Sequence, residues 1–242
     1  MESSSETTEH SSSSRTLVVM AKAPRPGMVK TRLARSLPVE AVTELYCCLL
    51  DDTMALARSL DTAEVVVMCP ASDVEELNRL GRGVANVVAQ KGEGLAAGLT
   101  SVFARFTARD GQRVIAFNSD SPHLPASVLS SAFEALNHHD VVVGPTNDGG
   151  YYLVGAKAAH PTLFYGDGMG TKSALEVLLA RARELNLSVT FTDHFYDIDE
   201  ERDLARLAAE LRLAPAKAPR TALWLKRWGE AVAQLPTAAD DL

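Results

Sequence analysis

The stretch Thr16-Leu17-Val18-Val19-Met20-Ala21-Lys22-Ala23-Pro24-Arg25-Pro26-Gly27-Met28-Val29-Lys30-Thr31-Arg32 decides the fold. Its opening residues form a short apolar run, which reads as a buried strand. Two prolines and a glycine then forbid regular structure. Lys22, Arg25, Lys30 and Arg32 sit in or beside that break. A cation-rich turn at the carboxyl end of a first strand is where open α/β sheets hold the phosphates of a nucleotide. The plainer alternative is a solvated basic loop.

Working outward, strand and helix patterns alternate. A helix is predicted over residues 38–60, with Val42, Leu45, Tyr46, Leu49, Thr53 and Leu56 on one face. Strands are predicted over 64–68, 84–89 and 113–117, and another opens at 141–143. Helices are predicted over 72–80, 94–109 and 125–136. Ser72 is the expected N-cap of the short second helix, with Glu75 at the capping-box position. Later come a strand at 151–156, a helix at 170–185, a strand at 188–192 and a helix at 199–211. This order predicts a mostly parallel, Rossmann-like sheet with helices on both faces.

The chain has 242 residues, which suits one large α/β domain. Residues 1–14, rich in Ser, Thr and Glu, predict a disordered tail rather than a signal peptide. The domain is expected over 15–213. Residues 214–242 are expected to hold a linker (Ala214 to Pro219), one amphipathic helix and a tail. Leu223, Trp224, Trp228 and Val232 form the apolar stripe of that helix, which offers a packing face or a dimer contact. The net charge of −7 excludes a general attraction to nucleic acid. No apolar stretch is long enough to span a bilayer. Cys47, Cys48 and Cys69 show no metal-type spacing, and the pattern predicts a reduced, cytoplasmic protein.

Three further stretches carry candidate chemistry. Phe117-Asn118-Ser119-Asp120-Ser121-Pro122-His123-Leu124-Pro125 follows a strand directly, which places Asp120 in the ligand crevice. A carboxylate there suits Mg²⁺ or Mn²⁺ bridging to a diphosphate. Gly144-Pro145-Thr146-Asn147-Asp148-Gly149-Gly150-Tyr151-Tyr152 also follows a strand. Its glycines let a ligand approach, and Asp148 is a candidate to bind an acceptor hydroxyl or act as general base. The same residues also read as an ordinary hairpin turn. In Tyr196-Asp197-Ile198-Asp199 the two carboxylates alternate on an extended segment and are expected to face opposite ways. Asp199 is the second candidate metal ligand. Two weaker candidates are Gln90 to Gly94, which could admit a nucleotide base, and Gly166 to Lys172, which could cap an acceptor anion through backbone N–H groups.

Four motifs together resemble the DUF2064 family, placed in the GT-A, nucleotide-diphospho-sugar transferase superfamily. They are Lys22-Ala23-Pro24-x-Pro26-Gly27-x-Val29-Lys30-Thr31-Arg32-Leu33, Ser119-Asp120-Ser121-Pro122-x-Leu124, Gly144-Pro145-x-x-Asp148-Gly149-Gly150-Tyr151-Tyr152-Leu153, and Asp197-x-Asp199-x-x-x-Asp203-Leu204. They are also similar to those of phospholactate guanylyltransferases. The resemblance runs from about Thr16 to Leu213. It implies a GT-A fold, Lys30 and Arg32 on nucleotide phosphates, and metal on Asp120 and Asp199. The sequence departs from the Asp-x-Asp of glycosyltransferases because Asn118 stands at the first position. His123 occupies a place where an acidic residue is often found.

The expected function is therefore metal-dependent nucleotidyl transfer from a nucleoside triphosphate to a phosphorylated small molecule, with pyrophosphate release. The alternative is glycosyl transfer from a nucleotide-sugar. The expected nucleotide site comprises Lys22, Pro24, Gly27, Lys30, Arg32, Gln90 and Gly94. Asp148, Gly149, Gly150, Tyr151 and Thr171 are the expected acceptor site. Lys30, Asp120 and Asp148 are the expected catalytic residues. A crevice carboxylate contributes little to a core, so Asp120→Asn is expected to leave the fold intact.

Overall fold

A computed structural model describes residues 14–80, 86–165 and 173–235. The tail expected over 1–14 falls outside it up to residue 13, as does the glycine-rich stretch 166–172. Its strands are β1 (Arg15–Met20), β2 (Glu64–Cys69), β3 (Val87–Ala89), β4 (Arg113–Asn118), β5 (Val141–Pro145), β6 (Tyr151–Ala156) and β7 (Val189–Phe191). Its helices are α1 (Val39–Arg58), α2 (Val74–Arg79), α3 (Gly94–Phe106), α4 (Ala126–Ala135), α5 (Ala174–Glu184), α6 (Glu201–Leu213) and α7 (Pro219–Ala233).

The strands lie in the order β3-β2-β1-β4-β6-β5-β7. All run the same way except β6, which is antiparallel to both β4 and β5. The carboxyl ends of the six parallel-running strands and the start of β6 therefore share one edge. An open sheet leaves its ligand crevice on that edge.

Both sheet faces are covered, which is why the strands are apolar on both sides. Side chains alternate along each strand. Leu17, Val19, Ile115 and Phe117 meet α1, α2 and α4 on one face. Val18, Val114 and Ala116 meet α3 and α5 on the other. There the Phe103 and Phe164 rings stack with centroids 5.3 Å apart. Each large side chain so buried contributes about 1.5–3 kcal/mol.

A third apolar cluster joins α1 to α6 and α7 through Leu45, Leu49, Leu204, Leu207 and Trp224. The stretch expected to be a linker is a packed turn, with a 3-10 segment at Pro215–Lys217 and Ala218 fully buried. Asp52 of α1 then caps α7. Its carboxylate accepts from the backbone N–H groups of Arg220 (3.1 Å) and Thr221 (2.8 Å) and from Thr221 Oγ1 (2.8 Å). Trp224 Nε1 donates to the Ala41 carbonyl at 3.1 Å. These anchors fix the rotation of α7. Leu223, about 100° round the helix from Trp224, is left 64% exposed and does not belong to the buried stripe.

Candidate active site

The turn after β1 is tied down from α2. The Ala23 N–H donates to Asp73 Oδ2 at 2.9 Å. Arg25 reaches Asp73 and Glu76, each at 2.7 Å, and donates to the Ser72 carbonyl at 3.0 Å. Burial would raise the Asp73 carboxyl, but the Ala23 N–H, Ser72 and Arg25 hold it below the usual carboxylate range. Arg25 is thus a clamp, not a phosphate cation. Ser72 does not cap α2 as expected. It lies inside a 3-10 segment (Ala71–Asp73) that precedes the helix, and its hydroxyl donates to Asp73.

The turn ends at Lys30, whose φ of 48° puts a non-glycine residue in the left-handed region. That conformation costs about 1–2 kcal/mol for an L side chain. It directs the ammonium inward, where the side chain is only 6% exposed. Lys30 Nζ donates to Asp120 Oδ2 and lies 3.7 Å from Asp199 Oδ1. Burial opposes the charge on Lys30, but Asp120 and Asp199 more than offset it and raise the pKa. Arg32 pairs with Asp199 at 2.6 Å and Glu200 at 3.1 Å.

Backbone ties bring these groups together. The Ile198 N–H donates to the Asp120 carbonyl at 3.2 Å, and Ser121 Oγ to the Tyr196 carbonyl at 3.3 Å. The segment after β7 is thereby held against the end of β4. Tyr46 of α1 joins β4 to the β1 turn from below. Its hydroxyl sits 3.0 Å from Ser119 Oγ and accepts from the Lys22 N–H at 3.0 Å.

Around this cluster opens a cleft of about 1020 Å³. Lys22, Lys30, Arg32, Gln90, Gly94, Asp120 and Asp199 all line it, as do Tyr46 and Asn118. Gly92 and Gly94 both adopt left-handed φ, 78° and 79°, which turns the chain around Glu93 at the cleft wall. Gln90 Nε2 donates to the carbonyls of both glycines, at 3.0 and 3.1 Å. Pro24 and Gly27 do not line the cleft. Pro24 is buried in the turn, and Gly27 is exposed on it.

Asp197 is the residue that sequence reasoning passed over. Residues two apart on an extended segment share a face, so Asp197 and Asp199 flank the fully buried Ile198 rather than opposing one another. Burial, and then the nearby Asp120, push the Asp197 carboxyl up to about 7. Asp199 stands just outside α6, whose N-cap is Glu200. Glu200 and Asp203 form the capping box there. The i, i+2 spacing of Asp197 and Asp199 was the available signal.

These carboxylates supply the hard oxygen donors that Mg²⁺ or Mn²⁺ prefers. Asp120 Oδ1 is a buried acceptor with no hydrogen-bond partner, which fits an oxygen reserved for a ligand. As arranged, the Lys30 ammonium is the charge that Asp120 and Asp199 share. Among the described residues no three His, Cys, Asp or Glu side chains are grouped closely enough to hold a metal ion.

A second cleft, of about 530 Å³, adjoins the first, and Arg32 and Asp199 line both. Its other walls are Thr146 to Asp148 and the α6 residues Arg202, Asp203, Ala205, Arg206 and Ala209, with Tyr196 and Asp197. Asp148 Oδ1 accepts from Thr146 Oγ1 at 2.5 Å and from the Gly150 N–H at 3.2 Å. The hairpin reading of that turn therefore holds, with Gly149 at φ 88°.

Gly149 and Gly150 are in the turn but do not line the cleft. Gly144 makes room for a protein ring, since a Cβ there would lie 2.5 Å from the Tyr152 ring. Tyr151 does not reach the acceptor cleft. It packs in the α3–α5 core, where burial raises its phenol and its oxygen has no partner. An odd–even shift explains this: Tyr151 and Tyr152 necessarily face opposite sides of β6. Thr171 lies outside the described residues.

His123 is 3% exposed and packs against Tyr196, with ring centroids 4.3 Å apart and planes tilted by 41°. Neither ring nitrogen has a partner, and burial lowers its pKa to about 4. A neutral aromatic thus stands where a carboxylate was the expected residue.

Sequence and structure comparisons agree with this architecture. Residues 53–171 match the family described as an uncharacterised protein conserved in bacteria, DUF2064. The chain is 31% identical over 183 residues to a 2-phospho-L-lactate guanylyltransferase of Methanothermobacter thermautotrophicus, covering 74% of this chain and 78% of that protein. A provisionally assigned nucleotide-diphospho-sugar transferase from Desulfovibrio desulfuricans G20 superposes with a TM-score of 0.82 at 24% identity, over 92% of this chain and 98% of that one. A nucleotidyl transferase from Methanothermobacter superposes with a TM-score of 0.56 at 19% identity, over 82% and 98% of the two chains. The fold is therefore that of the nucleotidyltransferase and nucleotide-diphospho-sugar transferase superfamily, and the chain belongs to the DUF2064 family.

Proposed function

We propose that this protein is a metal-dependent nucleotidyltransferase. It would move a nucleoside monophosphate unit from a nucleoside triphosphate to a phosphorylated small molecule. The observation that carries the reading is the meeting of Lys30, Arg32, Asp120 and Asp199 in one large cleft at the strand ends. The similarity to a guanylyltransferase supports it and makes GTP the first donor to test.

The cations and carboxylates of the cleft neutralise one another as they stand. Donor binding would exchange partners, with Lys30 and Arg32 turning to phosphate oxygens. Asp120 and Asp199 would hold Mg²⁺ or Mn²⁺. That ion supplies charge neutralisation to the polyphosphate. Gln90 and the Gly92–Gly94 turn would wall the base. An oxygen of the acceptor phosphate attacks the α-phosphorus and forms the new P–O bond. The bond from the α-phosphorus to the bridging oxygen breaks, and its electron pair leaves with pyrophosphate. No protein nucleophile is needed, and an ionised phosphate needs no base. Lys30 and Arg32 act by positioning and by meeting the charge on the leaving group. Asp148, committed to its own turn, shapes the acceptor side.

The test is the product. With GTP, Mg²⁺ and a panel of phosphorylated acids, beginning with 2-phospho-L-lactate, pyrophosphate release is expected. Release of nucleoside diphosphate from a nucleotide-sugar instead would replace this reading with glycosyl transfer. No helix among the described residues is long and apolar enough to cross a membrane.

A further inference from the structure

We infer that the second cleft receives the acceptor, and that the acceptor carries an acidic group held by Arg202 and Arg206 at the end remote from the reacting phosphate. This rests on the reading of the first cleft as the donor site.

Residues 202, 205, 206 and 209 fall at i, i+3, i+4 and i+7, so they form one face of α6. All four line the second cleft. Ala205 and Ala209 keep that wall shallow, and the two arginines stand on it. The Arg206 guanidinium lies 3.9 Å over the Tyr196 ring, which is itself braced by His123 on the ring and by Glu210 at the hydroxyl, 2.9 Å away. Arg206 Nε meets Glu210 at 3.3 Å, and its terminal nitrogens take no partner among the described residues. A stacked, pre-oriented guanidinium with a fork to spare suits a carboxylate or phosphate. Arg202 pairs with Glu200 at 3.2 Å and lies 3.9 Å from Asp203, with its side chain half exposed to the cleft.

The carboxylates of the same cleft are committed elsewhere. Asp199 serves Lys30 and Arg32. Asp203 accepts the N–H groups of Asp199 and Glu200, and Asp148 closes its own turn. On the α6 wall the hydrogen-bond donors left to meet a ligand are the two guanidinium groups. Arg32 and Asp199 border both clefts, so a phosphate in the second lies next to a polyphosphate in the first.

The test compares two probes that differ in one acidic group, 2-phosphoglycolate and ethyl phosphate, titrated calorimetrically into the full chain with Mg²⁺ and a non-hydrolysable GTP analogue. Wild type is expected to favour 2-phosphoglycolate by about tenfold or more. Arg206→Gln and Arg202→Gln should each reduce that preference to about threefold or less, with ethyl phosphate binding little changed, and Arg206→Lys should recover part of it. Equal affinity for the two probes in wild type would overturn the proposal. So would a preference that survives in Arg206→Gln and Arg202→Gln of undiminished thermal stability. Melting shifts with the GTP analogue are read separately on the same samples. Loss of charge preference with an intact nucleotide shift sinks the acceptor assignment alone. A charge preference retained without any nucleotide shift keeps the acidic-ligand site and sinks the donor reading.

Discussion

Asp52, which is buried, and Asp120, which is partly buried, are both carboxylates at the ends of long-range connections, yet their surroundings differ. Asp52 accepts three hydrogen bonds from the start of α7 and has nothing left to offer. Asp120 shares one oxygen with Lys30 and keeps the other buried without a partner. The first is a completed cap, which a fold uses for stability. The second is an unfinished site held together by a lysine in a strained backbone conformation. Unsatisfied buried groups and left-handed non-glycine residues are costly, and they persist where a ligand completes them.

Substitution should separate the two. Asp120→Asn is expected to lower metal-dependent turnover by about a hundredfold or more, the usual loss when a preorganised charge is removed. Asp52→Asn should leave turnover per folded molecule unchanged. Initial rates of pyrophosphate release on both variants decide this; a similar loss in the two would erase the distinction. Because Asp120 is the nearest counterion of buried Lys30, Asp120→Asn should also cost about 1–3 kcal/mol of stability. The fold is still expected to form, with that lower stability.

A second effect comes from His123. Its folded pKa, about 4, lies below the ordinary 6.5, so the unfolded chain binds the extra proton between those values. Stability from this group is full above about pH 6.5 and is lost as pH falls towards 4, by about 3 kcal/mol in all. Denaturant melts across that window should show the slope, and His123→Phe should flatten it. An unchanged slope would place the proton elsewhere.

Asp52→Ala follows, with an expected loss of about 1–2 kcal/mol from the missing cap. Urea midpoints would show it. The smallest effect concerns the basic turn. Arg25→Ala should leave nucleotide affinity within about twofold, as expected for a residue paired outside the cleft, whereas Lys30→Ala should weaken it about tenfold or more. Equal effects would mean that the clamp and the phosphate cation have been confused.

Much of this was readable along the chain. The apolar run before the Pro-Gly break located β1, and the strand-end rule put Lys30 and Asp120 on one edge before any coordinates. Local periodicity also placed the helices, with ends that differ by a few residues. What stayed hidden depends on partners far away in sequence. Arg25 had no assigned role among the four cations of the turn, because Asp73 and Glu76, about fifty residues on, could not be seen to claim it. The orientation of α7 was set by Asp52, 169 residues from Thr221. Tyr151 and Tyr152 are indistinguishable as sequence, and only the register of β6 against β4 and β5 decides which faces which core. Asp197 was legible in principle, since its spacing from Asp199 already implied a common face.

On donor binding, Lys30 and Asp120 are expected to part and admit a divalent ion and a polyphosphate between them. A crystal soaked with Mn²⁺ and a non-hydrolysable GTP analogue tests this directly through the anomalous signal of the metal. Manganese is expected in direct contact with an Asp120 oxygen, with Lys30 Nζ moved onto a phosphate oxygen. Nucleotide bound elsewhere, or bound with the Lys30–Asp120 pair still closed and no metal beside it, would contradict this.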